Sequence, residues 1–256
     1  MIEPILISLI LIVLVHLPFY IMAMISKTDY FTDLSYGLSF VLTTIILYVL
    51  SPLRTNHKLL LVLMTGWWGV RLALYLFIRV IKTKKDARFD KIRQSFTKFS
   101  SFWLLQVISV WIILLPITIA ISKNENIMIG PVILAGVLVW IAGYLIETIA
   151  DYQKFSFKSK NPTKFVSDGL WKYSRHPNYF GEILCWVGVF LVAYPALSGL
   201  EVLSVISPIF IAVLLLFVSG IPPIEKQQDK KYGLRREYQA YKRRTSVLIP
   251  MPQRKI

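Results

Sequence analysis

Cysteine, histidine and acidic residues are scarce in this sequence. Of the 256 residues, one is cysteine, three are histidine and 14 are aspartate or glutamate. The single cysteine, Cys185, excludes an intramolecular disulfide. The histidines at positions 16, 57 and 176 lack the spacing of metal ligands, so we expect no metal site. Internal repeats and low-complexity linkers are also missing, which predicts a single domain over residues 1–256.

Long apolar runs make up most of the chain. Hydrophobic residues account for 55% of it, above the ~45–50% typical of soluble domains. Several runs are about long enough to cross ~30 Å of hydrocarbon as helices. These runs lie near 5–25, 36–51, 59–81, 103–121, 130–150, 179–197 and 202–221. The sequence therefore predicts an all-α integral membrane protein, a bundle of about seven transmembrane helices.

Basic residues outnumber acidic ones, and the formal net charge is +15. They concentrate in the loops 82–98 and 151–178 and in the tail after residue 224. Seven spans put all three blocks on one side of the membrane, which the positive-inside rule makes cytoplasmic. The rule accounts for much of the positive charge, so nucleic-acid binding is not needed to explain it. We therefore expect the lipid bilayer as a partner and no nucleic acid. The C-terminus is then cytoplasmic, in a bacterial inner membrane or in a eukaryotic endoplasmic reticulum.

Polar residues inside the apolar runs need a separate explanation. Arg71 lies eleven residues before Lys82, near which the third run ends, and is thus roughly 16 Å deep. A charge at that depth costs at least ~2.5–3.5 kcal/mol unless it meets a partner or water. Trp68, Arg71, Tyr75 and Arg79 share one helical face. This face favours a polar pocket open to the cytoplasm, and an arginine paired with a carboxylate of a neighbouring helix is the alternative.

A second polar face lies in the segment "GYLIETIADYQKFSFK". Glu147 and Asp151 stand at positions i and i+4, and Lys154 and Lys158 continue the same stripe toward the basic loop. This stripe favours the wall of a pocket that faces the cytoplasm. Ordinary charge pairing at a helix interface is the alternative.

The segment "YSRHPNYFGE" stands where the sixth run begins. Pro177 suits the first turn of a helix, whose free backbone N–H groups and dipole attract anions. Arg175, His176 and Asn178 beside this end predict a seat for a cofactor that carries phosphate or carboxylate. Gly181 would let a ligand or another helix approach closely. A capped helix at the membrane interface is the alternative.

Three motifs in order carry a family resemblance: "ETIADYQKFSFK", "GLWKYSRHPNYFGE" and "SGIPPIEKQQDKKYGLRREYQAYKRRTSVLIP". Together they resemble the steroid 5α-reductase C-terminal domain superfamily, and most closely its bacterial members of undefined substrate. The resemblance covers a core of about 140–250 and extends more weakly to 30–100. It implies a seven-helix enzyme that takes NADPH from the cytoplasm. Such enzymes reduce an activated carbon–carbon double bond of an apolar lipid: a steroid, sterol, polyprenol or enoyl lipid.

The resemblance also implies which residues bind NADPH. In the family, the residues matching Arg71, Asp151 and Asn178 contact the cofactor, and Tyr241 falls in a C-terminal motif. The residues that we expect to bind NADPH are Arg71, Arg79, Arg93, Glu147, Asp151, Lys158, Arg175, His176, Asn178, Tyr179, Glu182 and Tyr241. Two of them depart from steroid reductases, because Glu147 replaces an asparagine and Lys158 an arginine. We expect the enzyme to act as a monomer.

The catalytic residues follow less directly. Hydride attack on an enone builds negative charge on oxygen, so the site needs a hydrogen-bond donor or acid there. Asp33, at the start of the second run, is the candidate acid; its alternative role is to favour its helix dipole. Trp68 falls where steroid reductases carry the tyrosine that holds the steroid ketone. A tryptophan donates a hydrogen bond but cannot relay a proton, which weighs against 3-oxo-steroid chemistry.

Two other classes of protein remain open. Isoprenylcysteine methyltransferases share the "RHPNY" run and use S-adenosylmethionine, which carries a sulfonium and no phosphate. A lipid or isoprenylcysteine methyltransferase would therefore line its pocket with carboxylates, for which Glu147, Asp151, Glu182 and Glu225 are the candidates. The third class is non-catalytic: a lipid-binding protein, a scaffold or a channel.

The basic blocks predict the topology. Reporter fusions at residues 90, 165 and 250 should all report a cytoplasmic location, because the three blocks share one side of the membrane. A fusion at the N-terminus should report the opposite side. An external signal from any of the three internal positions would contradict the seven-span arrangement.

Overall fold

A computed structural model describes residues 2–26, 28, 30–83 and 95–254. Within these ranges every regular element is helical, which confirms the prediction of an all-α protein. Three of the predicted site residues are not fully described. Arg93 lies outside the described residues, and so do the side chains of Asp33 and Arg79.

The described residues form nine α-helices, three 3₁₀ helices and one π-helical turn. The α-helices are α1 (Ile2–Ser26), α2 (Tyr30–Leu50), α3 (Asn56–Thr83), α4 (Phe96–Ser122), α5 (Pro131–Lys160), α6 (Pro177–Ala193), α7 (Ile206–Val213), α8 (Ile221–Tyr232) and α9 (Arg236–Arg244). The 3₁₀ helices are Gly169–Lys172, Tyr194–Ala196 and Gly199–Val205, and a π-helical turn, Leu214–Val218, follows α7.

Six described segments are long and apolar enough to cross a membrane. They are Ile2–Ser26, Asn56–Leu76, Phe96–Ser122, Pro131–Lys160, Pro177–Ala196 and Gly199–Tyr232. Hydrocarbon supplies no hydrogen-bond partners, so a helix, which satisfies its own backbone, is the form such a segment takes. The apolar part of α2, Leu34–Leu50, is shorter. That α2 crosses the membrane as a seventh span stays a prediction.

The chain divides into two compact units. The first comprises Met1–Leu134 and Val189–Ser207, and the second comprises Ala135–Gly188 and Pro208–Ile256. Each unit is thus assembled from two separate stretches of chain. That residues 1–256 act as a single domain stays a prediction.

In the first unit, α2 packs against α1, α3 and α4. Its contact with α3 is close, because a Cβ atom on Gly37 would lie 2.8 Å from the carbonyl oxygen of Gly69. Phe40, one turn after Gly37, meets Trp68, the residue before Gly69, edge-on with ring centroids 5.2 Å apart. The packing buries Trp68 completely.

A buried lysine ties helix ends of the first unit together. The ammonium of Lys58 donates hydrogen bonds to Ser51 Oγ at 2.9 Å, to the carbonyl of Leu53 at 2.8 Å and to the carbonyl of Lys123. Ser51 follows α2 and Lys123 follows α4. The charge of Lys58 is therefore compensated by carbonyl dipoles at the ends of these two helices.

The second unit is organised around the contact between α5 and α6. A Cβ atom on Gly143 would lie 2.6 Å from the carbonyl oxygen of Gly181, and one on Gly188 would lie 2.6 Å from that of Gly136. Real Cβ atoms essentially never come this close to a carbonyl oxygen. The two backbones can therefore approach only because these positions lack side chains. Helix α6 begins at Pro177, as the sequence predicts.

Helix α5 is longer than its apolar run. The run was predicted to end at residue 150, but α5 continues to Lys160, so the loop predicted from residue 151 is wrong at its start. Glu147, Asp151, Lys154 and Lys158 consequently lie on one continuous helix, which extends the predicted polar stripe beyond the hydrocarbon.

A substitution at Gly188 tests the contact between α5 and α6. Gly188→Ala should lower the free energy of unfolding by about 1–3 kcal/mol, because the added methyl group meets backbone atoms of Gly136 and Trp140. Gly66→Ala in α3 is the control, since its Cβ meets nothing within 4 Å and alanine favours a helix. Thermal unfolding in detergent micelles measures both. Equal midpoints for the two variants would contradict the tight contact.

Candidate functional site

Two buried carboxylates of α5 face the N-terminal half of α6. Glu147 is 2% exposed and Asp151 is 6% exposed. The Nδ2 group of Asn178 donates a hydrogen bond to Asp151 Oδ1 at 3.2 Å. The other side-chain atom of Asn178, the acceptor Oδ1, is buried and has no hydrogen-bond partner among the described residues. The structure thus brings together three of the predicted cofactor residues and leaves one of their acceptor atoms unsatisfied.

The carboxylate of Glu147 also faces α6. Its Oε2 atom lies 3.9 Å from Cys185 Sγ, within the distance of a weak thiol hydrogen bond. Gly181 lies between Asn178 and Cys185 on α6, and a Cβ atom there would clash with the backbone nitrogen of Glu147 at 2.6 Å. The glycine contact therefore determines how near these two carboxylates lie to α6.

Arg175 and His176 bind an anion, but that anion is the protein's own Glu225. The Arg175 Nη1 atom lies 3.0 Å from Glu225 Oε1. The Nε2 atom of His176 lies 3.2 Å from the same oxygen. Lys242 approaches the other carboxylate oxygen at 3.4 Å. Burial lowers the pKa of His176, and its hydrogen bond with Glu225 opposes that shift. The predicted role of Arg175 and His176 in holding a cofactor stays a prediction.

The C-terminal segment holds the loop that precedes α6. The hydroxyl of Tyr241 donates a hydrogen bond to the carbonyl of Trp171 at 2.8 Å. Burial raises the pKa of Tyr241, so the hydroxyl remains a donor. The backbone N–H of Arg175 bonds to the carbonyl of Ser246 at 2.8 Å, and Ser174 Oγ donates to the carbonyl of Leu248 at 2.7 Å. The observed contacts of Tyr241 support this loop, and its role in binding NADPH stays a prediction.

Lys158 is engaged at the far end of α5. Its ammonium donates to the hydroxyl of Tyr232 at 2.8 Å and to the carbonyl of Lys164. It also lies 5.1 Å from the centroid of the Tyr232 ring, within the range of a cation–π contact. Tyr179, in the first turn of α6, stacks on the ring of His176 with centroids 5.6 Å apart. Cofactor binding by Lys158 and Tyr179 stays a prediction.

The remaining predicted residues are distributed over the chain. Trp68 and Arg71 lie on α3 in the first unit, where Trp68 is buried and Arg71 is partly buried. Glu182 lies on α6 in the second unit and is partly exposed. Among the described residues, no group of three or more histidine, cysteine or acidic side chains is arranged to hold a metal ion.

The cluster around Glu225 was largely missed in the sequence analysis. Glu225 was predicted there only as a pocket carboxylate of the alternative methyltransferase. Lys242 joins Glu225 to Asp229, with 2.8 Å between its ammonium and Asp229 Oδ1. Tyr238 adds a hydrogen bond from its hydroxyl to the same oxygen at 3.1 Å. The one local signal was the i, i+4 spacing of the two acids in "EKQQD" on α8.

The comparisons with known proteins concern most of the chain. The family described as "Protein of unknown function (DUF1295)" matches residues 19–245. The chain belongs to this family. The family is related to steroid 5α-reductase-like proteins.

One curated relative of this DUF1295 protein is the uncharacterized protein C594.04c of Schizosaccharomyces pombe. It is 24% identical over 182 residues, which cover 60% of this chain and 52% of the yeast protein. The chain thus spans about half the length of that relative. No solved structure matches the chain.

A substitution at Glu225 tests the cluster that it organises. Glu225→Gln should lower the free energy of unfolding by about 1.5–3 kcal/mol, because Arg175 and Lys242 lose a charged hydrogen-bond partner. Trypsin should then cleave the basic segment of α9 faster. Glu237→Gln, at an exposed acid of α9, is the matched control and should change both readouts little. Unchanged stability and cleavage in Glu225→Gln would contradict the central role of this carboxylate.

Proposed function

We propose that this protein is a membrane oxidoreductase that uses NADPH to reduce a carbon–carbon double bond of an apolar lipid. The lipid belongs to the steroid, sterol, polyprenol or enoyl-lipid class. One observation carries the proposal: Glu147, Asp151 and Asn178 are gathered at the start of α6, and Asn178 Oδ1 is without a hydrogen-bond partner among the described residues. The relation of the family to steroid 5α-reductase-like proteins supports it.

The chemistry of the cluster suits the nicotinamide riboside half of NADPH. The carboxamide of nicotinamide and the ribose hydroxyls are hydrogen-bond donors. Asn178 Oδ1 and the carboxylates of Glu147 and Asp151 are acceptors, and hydrogen bonds from hydroxyls to carboxylates are charge-assisted. Two buried carboxylates would repel a diphosphate, so the phosphates belong with basic residues. Lys154 and Lys158 follow the carboxylates along α5 and offer that charge.

The reaction requires a donor in addition to the cofactor. NADPH, when bound, would supply a hydride, and its addition to the β-carbon of an activated double bond would place negative charge on the activating oxygen. A donor near that oxygen stabilises the negative charge, and a proton then goes to the α-carbon. Trp68 as the hydrogen-bond donor and Asp33 as the acid are the candidates that the sequence provides.

We further infer the setting of the enzyme from its charge pattern. Seven spans, with α2 as the seventh, leave the basic loops and the C-terminus in the cytoplasm, where NADPH is available. The membrane is the inner membrane of a bacterium or the endoplasmic reticulum of a eukaryote. We infer a monomer that draws its substrate from the bilayer.

A methyltransferase is the second candidate, and the burial of Glu147 and Asp151 favours it. S-adenosylmethionine carries a sulfonium and an ammonium, which two carboxylates would stabilise. Glu225, another acid assigned to that alternative, is bonded to Arg175 and His176 and is less suited to a cationic ligand. Cofactor binding separates the two candidates.

Titrations of the purified protein with NADPH, NADH and S-adenosylmethionine at fixed salt test the proposal. NADPH should bind about tenfold or more tightly than NADH, because one charge-assisted bond to the 2′-phosphate contributes ~1.5–3 kcal/mol. Asn178→Ala and Asp151→Ala should each weaken NADPH binding by about tenfold or more. Asn161→Ala is the matched control, because the Asn161 side-chain amide donates to the carbonyl of Phe157 near the end of α5.

Three results would count against this assignment. Unchanged NADPH affinity in both variants, with the fold intact, would remove Asn178 and Asp151 from the site. Equal affinity for the two nicotinamide nucleotides would mean that no residue clamps the 2′-phosphate. Tighter binding of S-adenosylmethionine than of either nucleotide would favour the methyltransferase.

A further inference from the structure

Helix α1 presents an unusual buried face. Its fully buried residues are Ser8, Ile12, His16 and Ala23, whereas large apolar side chains such as Leu14 and Leu17 are exposed. A helix that exposes its apolar side and buries a histidine in its middle is suited to hydrocarbon on one side and polar groups on the other. Helices α2 and α4 pack against α1 in this unit.

The hydrogen bonds around His16 fix which ring nitrogen carries its proton. Ser39 Oγ donates its single proton to the carbonyl of Ser35 at 2.8 Å. It can therefore only accept from His16 Nδ1, which lies 2.9 Å away. The carbonyl of Ile12, 3.0 Å from Nδ1, is also an acceptor. Nδ1 consequently carries the proton, and Nε2 of the neutral ring is an acceptor.

Two residues of α4 complete a cluster with His16. The rings of Trp103 and His16 meet edge-on with centroids 6.1 Å apart. Gln106 stands one turn beyond Trp103 and directs its Nε2 group at the carbonyl of Thr32, 3.5 Å away. His16, Trp103 and Gln106 are 2%, 3% and 8% exposed. These three side chains, from α1 and α4, form the His16 cluster.

Each member of the His16 cluster keeps one polar atom without a partner. His16 Nε2, Trp103 Nε1 and Gln106 Oε1 are buried and make no hydrogen bond to any described residue. A buried polar group without a partner is costly, so three of them in one cluster favour a common partner. The set contains one donor, Trp103 Nε1–H, and two acceptors.

We propose that the His16 cluster binds the hydroxyl group of an apolar molecule dissolved in the membrane. A hydroxyl accepts a bond from Trp103 Nε1–H and donates one to His16 Nε2 or Gln106 Oε1, so it matches both kinds of atom. A carbonyl would satisfy Trp103 alone. A carboxylate or phosphate would face two acceptors, and an ammonium would leave the indole donor unpaired.

The inference narrows the proposed function, since it names a lipid alcohol as the substrate class. Only the statement that the bound lipid is a substrate rests on the proposed function. The binding site itself stands on the geometry of α1, α2 and α4 and can be measured without NADPH.

Three probes with the same isoprenoid carbon skeleton test the hydroxyl preference on the purified 256-residue chain in detergent micelles. Farnesol both donates and accepts, its methyl ether only accepts, and the hydrocarbon farnesane does neither. Farnesol should bind about three- to tenfold more tightly than the ether, because one neutral hydrogen bond is lost with the proton. Farnesane should bind most weakly.

Two variants assign the preference to atoms. Trp103→Phe removes the donor and should weaken the alcohol and the ether alike, by about three- to tenfold. His16→Phe removes an acceptor and should weaken the alcohol alone, since the ether has no proton to give. Trp111→Phe is the control on the same helix, because its indole already donates to the carbonyl of Ile5 at 3.0 Å.

Equal affinity for alcohol and ether in the parent protein would overturn the inference, even if no variant folds. The same holds if folded His16→Phe keeps the full alcohol preference and folded Trp103→Phe keeps its affinity for both probes, the result expected if ordered water satisfies these atoms. Equal losses in all three variants would point to packing alone and would also overturn the inference.

NADPH titration separates this inference from the proposed function. If the protein prefers the alcohol but does not bind NADPH, the lipid site is supported and the reductase proposal is refuted. If it binds NADPH but does not prefer the alcohol, only the lipid site is refuted.

Discussion

Hydrocarbon offers no hydrogen bonds, so every polar group of a membrane-embedded helix needs its partner inside the protein. The apolar runs of this DUF1295 protein meet this demand for the backbone by forming helices. Its buried side chains meet it in different ways. Lys58 gives its three protons to one hydroxyl and two carbonyls. His57 bonds to the carbonyl of Val192 at 2.7 Å. Several other buried atoms, such as His57 Nδ1 and Thr118 Oγ1, have no hydrogen-bond partner among the described residues. For Asn178 and the His16 cluster we propose that a ligand is the partner.

In the second unit, two closely packed helices bring short polar side chains within hydrogen-bond distance of each other. Gly143, Gly181 and Gly188 let the backbones of α5 and α6 approach nearly to contact. Short side chains can then meet across the interface, as Asn178 does with Asp151. Larger residues at the glycine positions would move the helices apart and break this hydrogen bond. The glycines and the polar residues of the two motifs are therefore parts of one arrangement.

The sequence predicted what depends on local pattern. Hydropathy located the long apolar helices, and Pro177 marked the start of α6 because proline suits a first helical turn. Hydropathy failed at the end of α5, since a helix that leaves the membrane keeps its backbone bonds while its side chains become polar. The i, i+4 spacing of Glu147 and Asp151 was visible, and so was the stripe that continues to Lys158.

What depends on contacts between distant residues was not predictable. Glu225 meets Arg175 across fifty positions of sequence and meets Lys242 through the turn between α8 and α9. No local spacing records such a contact. His16 was considered only as a metal ligand, because a single histidine in an apolar helix has no pattern around it. Its tautomer follows from Ser39, a residue of another helix.

The two clusters differ in charge, and this difference indicates different ligands. Glu147 and Asp151 are acidic. A charged or strongly polar ligand loses its bound water when it is buried beside them, so it binds only where hydrogen bonds or charges of the protein replace that water. The His16 cluster consists of an indole, an amide and a neutral imidazole. Neutral donors and acceptors bind a neutral hydroxyl without any cost of burying charge, and a hydroxyl on an apolar body loses little solvation when it leaves the bilayer. The neutral cluster of the first unit therefore suits the lipid alcohol that we propose, and the acidic cluster of the second unit suits the polar cofactor that we propose.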